Sequence, residues 1–413
     1  MTRPINFLHA WELGANLGHV GIFAPIAKAL HAQGHSISLA SRETGTVAPL
    51  LRDLPVRLLQ APYLAEQPSN APPVSYPDIL TRFGLDRPSI LQGHVEAWRA
   101  LFELTRANLI IADHAPAALI AARTAKIPVM LFNSGFFVPP REAPLPALRP
   151  WQPTPRESLV DIELRLLDSI NRCLNRYNAS PIRAAWELFD VAEPTLLGFP
   201  ELDHYDRQGQ ITYWGYVGNA DLGETPAWPP LPGAKIFAYL RTNARHFGPA
   251  LDALIQARQP TLLFCPDLSA DLRTMLAAHP HIRLASGPVN LVLAAQAADV
   301  LVTYAAFSTT AGFLHAGRPC LLLPGHLEQF LFARRIEENG FGLMVHPDGN
   351  GQDAFAKLHQ LLTQPTFRSQ CEIFRQRYVN FPQGAVVRNL LARMLTLGTE
   401  HRDAAALQET SPS

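Results

Sequence analysis

The chain has 413 residues, of which 47% are hydrophobic, and its 35 basic side chains balance its 35 acidic ones. This length predicts two to three domains with sizeable cores. The balanced charge argues against a nucleic-acid or acidic-membrane partner, and the lack of a long apolar run argues against a transmembrane helix.

The first half of the chain alternates short apolar runs with amphipathic stretches, which is typical of an α/β domain with parallel strands. The predicted strands are residues 5–9, 36–41, 56–60, 109–112 and 129–133. The predicted helices are residues 20–33, 89–105, 116–126 and 157–175. Two proline-rich segments, 62–88 and 139–155, are predicted to be long loops on one face of the sheet, where binding surfaces usually lie.

The second half repeats this pattern after a stretch of proline and glycine at residues 227–233. Its strands are predicted near residues 235–240, 261–265, 282–285, 300–303 and 320–323. We expect the chain to be organised as a first domain, a linker, a second domain, a returning helix and a disordered tail, over residues 1–215, 216–234, 235–384, 385–399 and 400–413. The predicted fold class is α/β, with two Rossmann-like domains that face each other across a central cleft, and ligands would bind beyond the carboxyl ends of the strands.

The cysteines and the N-terminus indicate the compartment. The four cysteines are scattered without metal-ligand spacing, so we expect them to be buried and reduced. The N-terminus enters a strand pattern without the charged and apolar segments of a signal peptide. We therefore expect a cytoplasmic protein.

The loop after the first predicted strand carries a candidate general base. Its glycine spacing is not that of the dinucleotide-binding fingerprint. His19 lies near the start of the following helix, and Asp113 directly follows the apolar run 109–112. A histidine with a pKa near 7 suits proton removal from a hydroxyl, and a carboxylate behind it would fix its tautomer. In the alternative interpretation, both residues only cap helices.

Residues 303–329 carry a candidate phosphate site. A buried strand ends in a turn of small residues, and a helix is predicted to open at Ser308 and Thr309. A Gly-Arg-Pro corner at 317–319, another buried strand, and Glu328-Gln329 at the start of a further helix follow. Free N–H groups and the helix dipole favour phosphate at such a helix start, and the hydroxyls add donors.

Together these two patterns resemble the family 1 glycosyltransferases. Gly18-His19 is similar to the family's pair that supplies the catalytic base, and Gly34-His35 is similar to a dipeptide before its second strand. Asp113 matches the aspartate that pairs with the base. The resemblance implies the GT-B fold and inverting transfer of a sugar from a nucleotide diphosphate, such as a UDP- or dTDP-sugar, to a hydroxyl of a small or lipid-like acceptor.

The resemblance is incomplete at the donor site. Ser308 and Thr309 match the pair that donates to the diphosphate, and Glu328-Gln329 matches the pair that binds the sugar. Tyr304 stands where the family has a phosphate-binding histidine, and Gly312 where it has a ribose-binding glutamate. A tyrosine brings a hydroxyl but no charge. Uncompensated, these losses would weaken donor binding by roughly 2–5 kcal/mol.

Three further residues are donor-binding candidates. Arg241, just after the first strand of the second domain, could compensate by reaching the diphosphate. Val289 lies in the segment that usually packs on the nucleotide base, and Asn16 lies in the loop before His19. No Asp-x-Asp motif occurs in the chain, so we expect no metal and no cofactor, with the helix N-terminus neutralising the phosphate charge.

Two alternatives stay open. Tyr304 and Gly312 are compatible with a protein of the same fold that has lost catalysis and serves as a binding or partner subunit. The other alternative is an epimerase or a lipid-linked-sugar transferase of this fold, with peripheral membrane contact. The expected partners are a sugar nucleotide and an acceptor, without nucleic acid or an integral membrane segment.

Overall fold

The structure is a computed structural model. It describes residues 3–14, 18–67, 69, 71–207, 209, 211–218, 223–346 and 348–410, and it gives the backbone alone for residues 18–20, 405 and 408–410. The chain divides into unit 1, which contains Met1–Leu197, Arg207–Trp214 and Val387–Ser413, and unit 2, which contains Gly198–Asp206 and Gly215–Val386. Residues 198–206, which the sequence assigns to the first domain, thus group with unit 2.

Unit 1 is built on a parallel sheet with the strand order β3-β2-β1-β4-β5. Over the described residues its strands are β1 (Asn6–Trp11), β2 (Ser36–Ser41), β3 (Arg57–Gln60), β4 (Leu109–Asp113) and β5 (Val129–Leu131). Its helices there are α1 (Gly18–Ala32), α2 (Thr44–Leu51), α3 (Tyr76–Arg82), α4 (Pro88–Thr105), α5 (Pro116–Ala125) and α6 (Arg156–Arg176). The strand order reverses between β1 and β4, which is the switch point where ligands bind in such sheets.

The core of unit 1 explains the helices on one face of this sheet. Helix α4 buries Leu91, Val95, Trp98 and Phe102, which recur at helical spacing on a single stripe. Helix α5 begins with a run of small and apolar residues that is buried throughout, so it packs closely beside α4. Full burial of each large side chain contributes about 1.5–3 kcal/mol.

Unit 2 repeats the plan with a parallel sheet of order β11-β10-β9-β6-β7-β8. Over the described residues its strands are β6 (Ile236–Tyr239), β7 (Thr261–Phe264), β8 (Ile282–Leu284), β9 (Val300–Thr303), β10 (Cys320–Leu322) and β11 (Gly342–Met344). Its helices there are α7 (Phe247–Ala257), α8 (Ala270–Ala277), α9 (Leu291–Ala297), α10 (Phe307–His315), α11 (Leu327–Glu338), α12 (Gly351–Thr363) and α13 (Pro365–Arg377). Here the strand order reverses between β6 and β9, so the switch point lies between these two strands.

These two sheets confirm the predicted α/β class with two Rossmann-like domains. Every predicted strand is present, and residues 36–41 and 300–303 form strands with the predicted bounds. The proline-rich segment 62–88 was predicted to be a loop, but it contains α3. Ser75 caps that helix by accepting a hydrogen bond from the N–H of Asp78, and Pro77 lies in its first turn, where its missing N–H costs nothing.

The last helix, α14 (Gln383–Thr410), differs from the expected disordered tail. It runs through residues 400–410, and residues 411–413 lie outside the described part of the chain. Residues 400–410 include alanine, leucine, glutamate and arginine, which are strong helix formers. The guanidinium of Arg402 also donates to the carbonyl of Arg3 at 2.5 Å. Of the helices in the described ranges, none is long and apolar enough to cross a membrane.

A pair of helical glycines tests how tightly α14 packs in unit 1. A Cβ atom at Gly398 would lie 2.6 Å from Cγ2 of Ile5, whereas one at Gly93 in α4 would meet nothing within 4 Å. Overpacking costs about 1–3 kcal/mol, which outweighs the gain of about 1 kcal/mol in helix propensity. We expect Gly398→Ala to lower the melting temperature and Gly93→Ala to raise it. A rise in both variants would show that Ile5 moves aside at no cost.

Candidate functional site

The carboxyl edge of the unit 1 sheet brings a buried carboxylate beside a histidine. Asp113 is the last residue of β4, and its Oδ2 lies 3.8 Å from Nε2 of His9 on β1. Both side chains are almost completely buried, and the imidazole packs on Phe23 and Phe132 with ring centroids 4.2 and 5.9 Å away. No role was predicted for His9 from the sequence. The one sign of a role was that His9 is a polar residue within an apolar strand.

The predicted partner of Asp113 was His19, and this pair stays a prediction. The backbone of His19 is the second residue of α1, which follows β1. The helix therefore opens from the edge where β4 ends at Asp113. The side chain of His19 and the whole of Asn16 lie outside the described residues. By contrast, His35 has a structural role, because its Nδ1 accepts a hydrogen bond from the N–H of Ile5.

A second buried carboxyl at this edge was not found from the sequence. Glu12 follows β1 directly, and its Oε2 accepts hydrogen bonds from the N–H groups of Ala117 at 2.8 Å and Ala118 at 3.4 Å. These are first-turn donors of α5, which have no partner within the helix. Burial raises the pKa of Glu12 to about 8, although the two N–H groups act in the opposite direction.

The residue after Asp113 has an unusual backbone conformation. His114 adopts a φ of +45°, which is uncommon for a residue with a side chain. Its ring stacks on Phe137 at a centroid distance of 4.0 Å, and its carbonyl accepts a hydrogen bond from the N–H of Leu13 at 2.9 Å. The loops that follow β1 and β4 are therefore joined to each other at the switch point.

Unit 2 presents an open helix N-terminus at its own switch point. Helix α10 is preceded by Ala305, which has a φ of +62° and is buried, and by the N-cap residue Ala306, which offers no side-chain cap. Among the described residues, the N–H groups of Phe307, Ser308 and Thr309 make no hydrogen bond. The predicted phosphate site therefore has free donors, and the helix starts one residue earlier than predicted.

Tyr304, at the position of the family's histidine, is neutral and largely buried. Its ring meets that of Tyr239 edge to face, with centroids 5.2 Å apart. Burial and the neighbouring hydroxyl of Tyr239 raise the pKa of Tyr304. It therefore offers a hydroxyl beside the helix start but no positive charge.

Arg241 supplies positive charge at the same edge. It follows β6, which is the neighbour of β9, and its Nε lies 3.9 Å from Oδ2 of Asp267. Asp267 also accepts hydrogen bonds from the N–H and hydroxyl of Thr242 at 3.1 and 2.8 Å. Burial acts against these bonds, yet the pKa of Asp267 is lowered on balance. Arg241 therefore lies at the outer limit of an ion pair with Asp267, and two-fifths of its side-chain surface is exposed.

Gly312 lies under an aromatic ring. A Cβ atom there would be 3.3 Å from Cε2 of Tyr216. A longer side chain at position 312 would therefore meet the ring of Tyr216.

The predicted sugar ligands make contacts within unit 2. Oε1 of Glu328 lies 3.3 Å from Nε2 of the buried His204, and Oε2 lies 3.7 Å from Nδ1 of His326. The side-chain carbonyl of Gln329 accepts a hydrogen bond from the N–H of Gly325 at 2.9 Å. Both residues lie in the first turn of α11, as predicted, and their orientation is set by these partners.

Val289 is buried, and its neighbours pair with the segment that follows residue 222. The N–H of Glu224 donates to the carbonyl of Pro288 at 2.8 Å, and the N–H of Asn290 donates to the carbonyl of Glu224 at 3.0 Å. The other candidates for the donor site lie at one edge of the sheet. They follow three adjacent strands: Arg241 follows β6, Tyr304 and Ser308 follow β9, and Glu328 follows β10. Within the described part of the chain, no cluster of three or more His, Cys, Asp or Glu is arranged to hold a metal ion.

Unit 1 also has a cavity of about 250 Å³. Its walls are mainly aromatic and apolar, with Trp186, Phe189 and Ile211 beside the proline-rich segment that starts at Pro139. The two arginines that line it are already engaged: Arg141 is 3.2 Å from Oδ1 of Asp190, and Arg207 donates to backbone carbonyls.

Comparison with known proteins identifies the fold. No family model matches the chain, and no curated protein does. The solved structures of the glycosyltransferase VinC in complex with dTDP and of the calicheamicin glycosyltransferase CalG4 both align with a TM-score of 0.66, at 16% and 15% identity. They cover 95% and 96% of this chain, and 99% and 98% of their own.

A third similar structure extends the comparison. The glycosyltransferase SnogD from Streptomyces nogalater aligns with a TM-score of 0.60 at 16% identity, over 94% of this chain and 99% of its own. Such low identity shows the fold alone, and the fold is the predicted GT-B type.

The contact of Gly312 with Tyr216 makes a testable prediction. Gly312→Glu must displace the ring, so we expect it to destabilise the protein by about 1–3 kcal/mol. Tyr216→Ala should relieve that cost, so the double variant should be more stable than the sum of the two single changes predicts. Thermal melting of the four proteins measures the coupling. Additive effects would mean that the glutamate side chain takes a path that avoids Tyr216.

Proposed function

We propose that this chain of GT-B fold is a glycosyltransferase that transfers a sugar from a nucleotide diphosphate donor to a hydroxyl acceptor. The observation that carries the proposal is the open N-terminus of α10. It lies at the switch point of unit 2 with Arg241 at the same sheet edge, and its N–H groups at Phe307, Ser308 and Thr309 make no hydrogen bond in the part of the chain that the structure describes. A helix start of this kind favours phosphate.

The diphosphate would be bound mainly by charge and backbone donors. The helix dipole places roughly half a positive charge at the α10 N-terminus. Arg241 would add a full charge by turning from Asp267, whose Oδ2 is already held by Thr242. Tyr304 would contribute a hydroxyl in place of the histidine. We propose that no metal ion takes part, because these groups would stabilise the negative charge that develops on the leaving diphosphate.

His19 would act as the general base, with Asp113 as its orienting carboxylate. The base takes the proton of the acceptor hydroxyl as that oxygen attacks the anomeric carbon, and the diphosphate leaves from the opposite face. The sugar is thereby inverted at that carbon. Proton transfer of this kind contributes about 10²–10⁴-fold in rate. The burial of Asp113 beside His9 supports a carboxylate held in one orientation.

Glu328 and Gln329 would bind the sugar hydroxyls, and Val289 and Asn16 would lie near the nucleotide. The acceptor would be small or lipid-like, and the apolar cavity at Trp186 in unit 1 supports an acceptor with an apolar part. One structure of the same fold, the spinosyn rhamnosyltransferase SpnG, was solved with the spinosyn aglycone. For this chain we propose a UDP- or dTDP-sugar donor and a cytoplasmic location.

Specific contacts favour a second candidate, a binding protein that has lost catalysis. Gly312 is covered by Tyr216, and Gln329 bonds to its own loop. Glu328 lies between two histidines. A pocket whose sugar ligands are held by the protein itself would suit a partner subunit that binds a nucleotide without turnover.

Calorimetric titration with UDP, dTDP and GDP, in the absence of metal, tests the proposal. Micromolar binding of one nucleotide would support a donor site and identify its class. An acceptor screen with the matching sugar nucleotide would then separate the enzyme from the binding subunit. The absence of binding by all three would reject a diphosphate site at α10.

Replacing Arg241 tests the phosphate site. Removing a charge-assisted contact costs about 1.5–3 kcal/mol, so Arg241→Ala should weaken binding of the chosen nucleotide by about 10- to 100-fold. Binding of the nucleoside without phosphates should not change. Arg245→Ala is the matched control, because Arg245 is exposed and pairs only loosely with Asp348 at 3.6 Å. An equal loss in both variants would indicate a general charge effect.

Replacing His19 tests the base. His19→Ala should abolish transfer while the nucleotide affinity stays within about threefold, because a base acts only in the transition state. His31→Ala, at the other end of the same helix, serves as the control and should keep full activity. Turnover equal to that of the unmodified protein in His19→Ala would remove His19 from the mechanism.

A further inference from the structure

The two units have the same backbone plan at their switch points. In each, the strand that follows the reversal leads into one left-handed residue, His114 or Ala305, and then into an alanine N-cap and a helix. In unit 1, Trp11 pairs with Asp113. In unit 2, Tyr239 pairs with Thr303, one position earlier.

This register makes Glu12 and Arg241 equivalent. Asp113 and Tyr304 each precede the left-handed residue, so they correspond. Glu12 is one residue past the partner of Asp113, and Arg241 is one residue past the position opposite Tyr304. Unit 1 therefore has a carboxyl where unit 2 has a guanidinium.

The equivalent helix starts are accordingly in different states. Among the described residues, the first-turn N–H groups of α10 make no hydrogen bond, whereas two of those of α5 donate to Glu12. The first-turn N–H groups of α5 are thus satisfied by a side chain that follows the neighbouring strand. They need no external ligand as acceptor, which agrees with a unit that does not bind the phosphates.

The same residue helps to tie together the segments that follow β1 and β4. Residue 12 is bonded to Ala117 and Ala118, and residue 13 donates to the carbonyl of His114. These bonds join residues 12 and 13, just after β1, to the residues that follow Asp113. A change of the Glu12 side chain would remove the two bonds to the start of α5 and leave the Leu13–His114 bond in place.

We propose that Glu12 is a positioning residue, whose carboxyl fixes the end of β1 to the start of α5 and thereby holds Asp113, at the end of β4, in its working place. The catalytic part of this inference rests on the proposed function. The link between Glu12 and the start of α5 does not rest on it, because both lie in unit 1 and the link needs no substrate.

The surroundings of Glu12 define the variants. Among the described residues, the titratable side chains at this edge are His9 on β1, Asp113 and His114 at the end of β4, Tyr76 beside His114, and Arg42, which donates to the carbonyl of Gly14. The first turn of α5 carries none, and α4 contributes the indole of Trp98. Glu12→Gln keeps an acceptor for the two N–H groups, whereas Glu12→Leu removes it and leaves them buried without a partner.

Glu163→Leu is the matched control. Glu163 is also buried, and its two oxygens accept hydrogen bonds from the N–H groups of Leu145 at 2.6 Å and Ala185 at 3.0 Å. It lies on α6, away from the ends of β1 and β4 in the sequence. Its loss should lower the melting temperature without touching the proposed base.

The first experiment follows the histidine ring protons by NMR across a pH titration of the full chain. The resonance of His19 is assigned with His19→Asn, and that of His9 with His9→Asn. We expect Glu12→Leu to shift the pKa of the imidazole that Asp113 orients, Glu12→Gln to shift it much less, and Glu163→Leu to leave it unchanged. Identical histidine pKa values in all four proteins would overturn the positioning role.

The second experiment separates kcat from KM in the transfer assay. Displacement of a catalytic group by about 1 Å can cost about 100-fold, so Glu12→Leu should lower kcat by up to that factor with the donor KM unchanged. Glu12→Gln should recover most of this loss. A Glu12→Leu protein that melts earlier but keeps its kcat would overturn the inference. If no protein, including the unmodified one, transfers sugar, the proposed function fails and the histidine titration decides the link.

The pH dependence of melting is a third readout, and it still applies if Glu12→Leu does not fold. The pKa of Glu12 is about 8 in the folded state and ordinarily 4.5, so between these values the folded chain holds a proton that the unfolded chain has released. Glu12 therefore stabilises unit 1 less as the pH rises through this window, and the loss ends above pH 8. We expect the melting temperature of the unmodified protein minus that of Glu12→Gln to fall from pH 5.5 to 8. If this difference in melting temperature does not vary with pH, the Glu12 carboxyl is not buried as the structure has it, and the positioning role fails.

Discussion

Both units depend on which acceptor satisfies the N–H groups at the start of one helix. In a parallel sheet the helix after a central strand opens at the carboxyl edge, and its first donors have no partner within the helix. In unit 1, two of these donors bond to the buried carboxyl of Glu12. In unit 2, those of α10 make no hydrogen bond within the described residues, and Arg241 lies at the same sheet edge. The helix start in unit 1 is therefore satisfied by the protein itself, whereas an anion at α10 would add stabilisation. This difference separates the roles that we propose for the units.

The donor site proposed for unit 2 differs from the family's site at several positions. Tyr304, a neutral hydroxyl, stands where the family has a histidine, and Arg241 would bring positive charge from the adjacent strand. The ring of Tyr216 lies beside Gly312, so a longer side chain at this position would meet it. The packing here therefore differs from that of a site built around the family's glutamate, whichever of the two proposed functions applies.

The sequence predicted the sheets well because their strands are continuous apolar runs bounded by glycine, proline and polar residues. The strand at Val300–Thr303 is of this kind, and the polar and small residues after it mark the start of the next helix. Helix α3 was missed because its evidence is local capping within a proline-rich segment. His9 and Glu12 were missed for another reason: each is a polar residue whose partner is distant in sequence, at Asp113 and at Ala117. Such pairings become visible only once the strand order is known.

The position of α14 has a consequence for the order in which the chain acquires its structure. Unit 1 is assembled from segments on both sides of unit 2 in the sequence, and Gly398 packs on Ile5 at the start of β1. During synthesis the first sheet is therefore made long before the helix that covers part of it, and the whole of unit 2 emerges in between. Unit 2 is a contiguous insert apart from one short segment, so it can fold while unit 1 still waits for its last element. Until α14 packs in place, the surface around Ile5 and Phe7 that it covers is left exposed in the nascent chain.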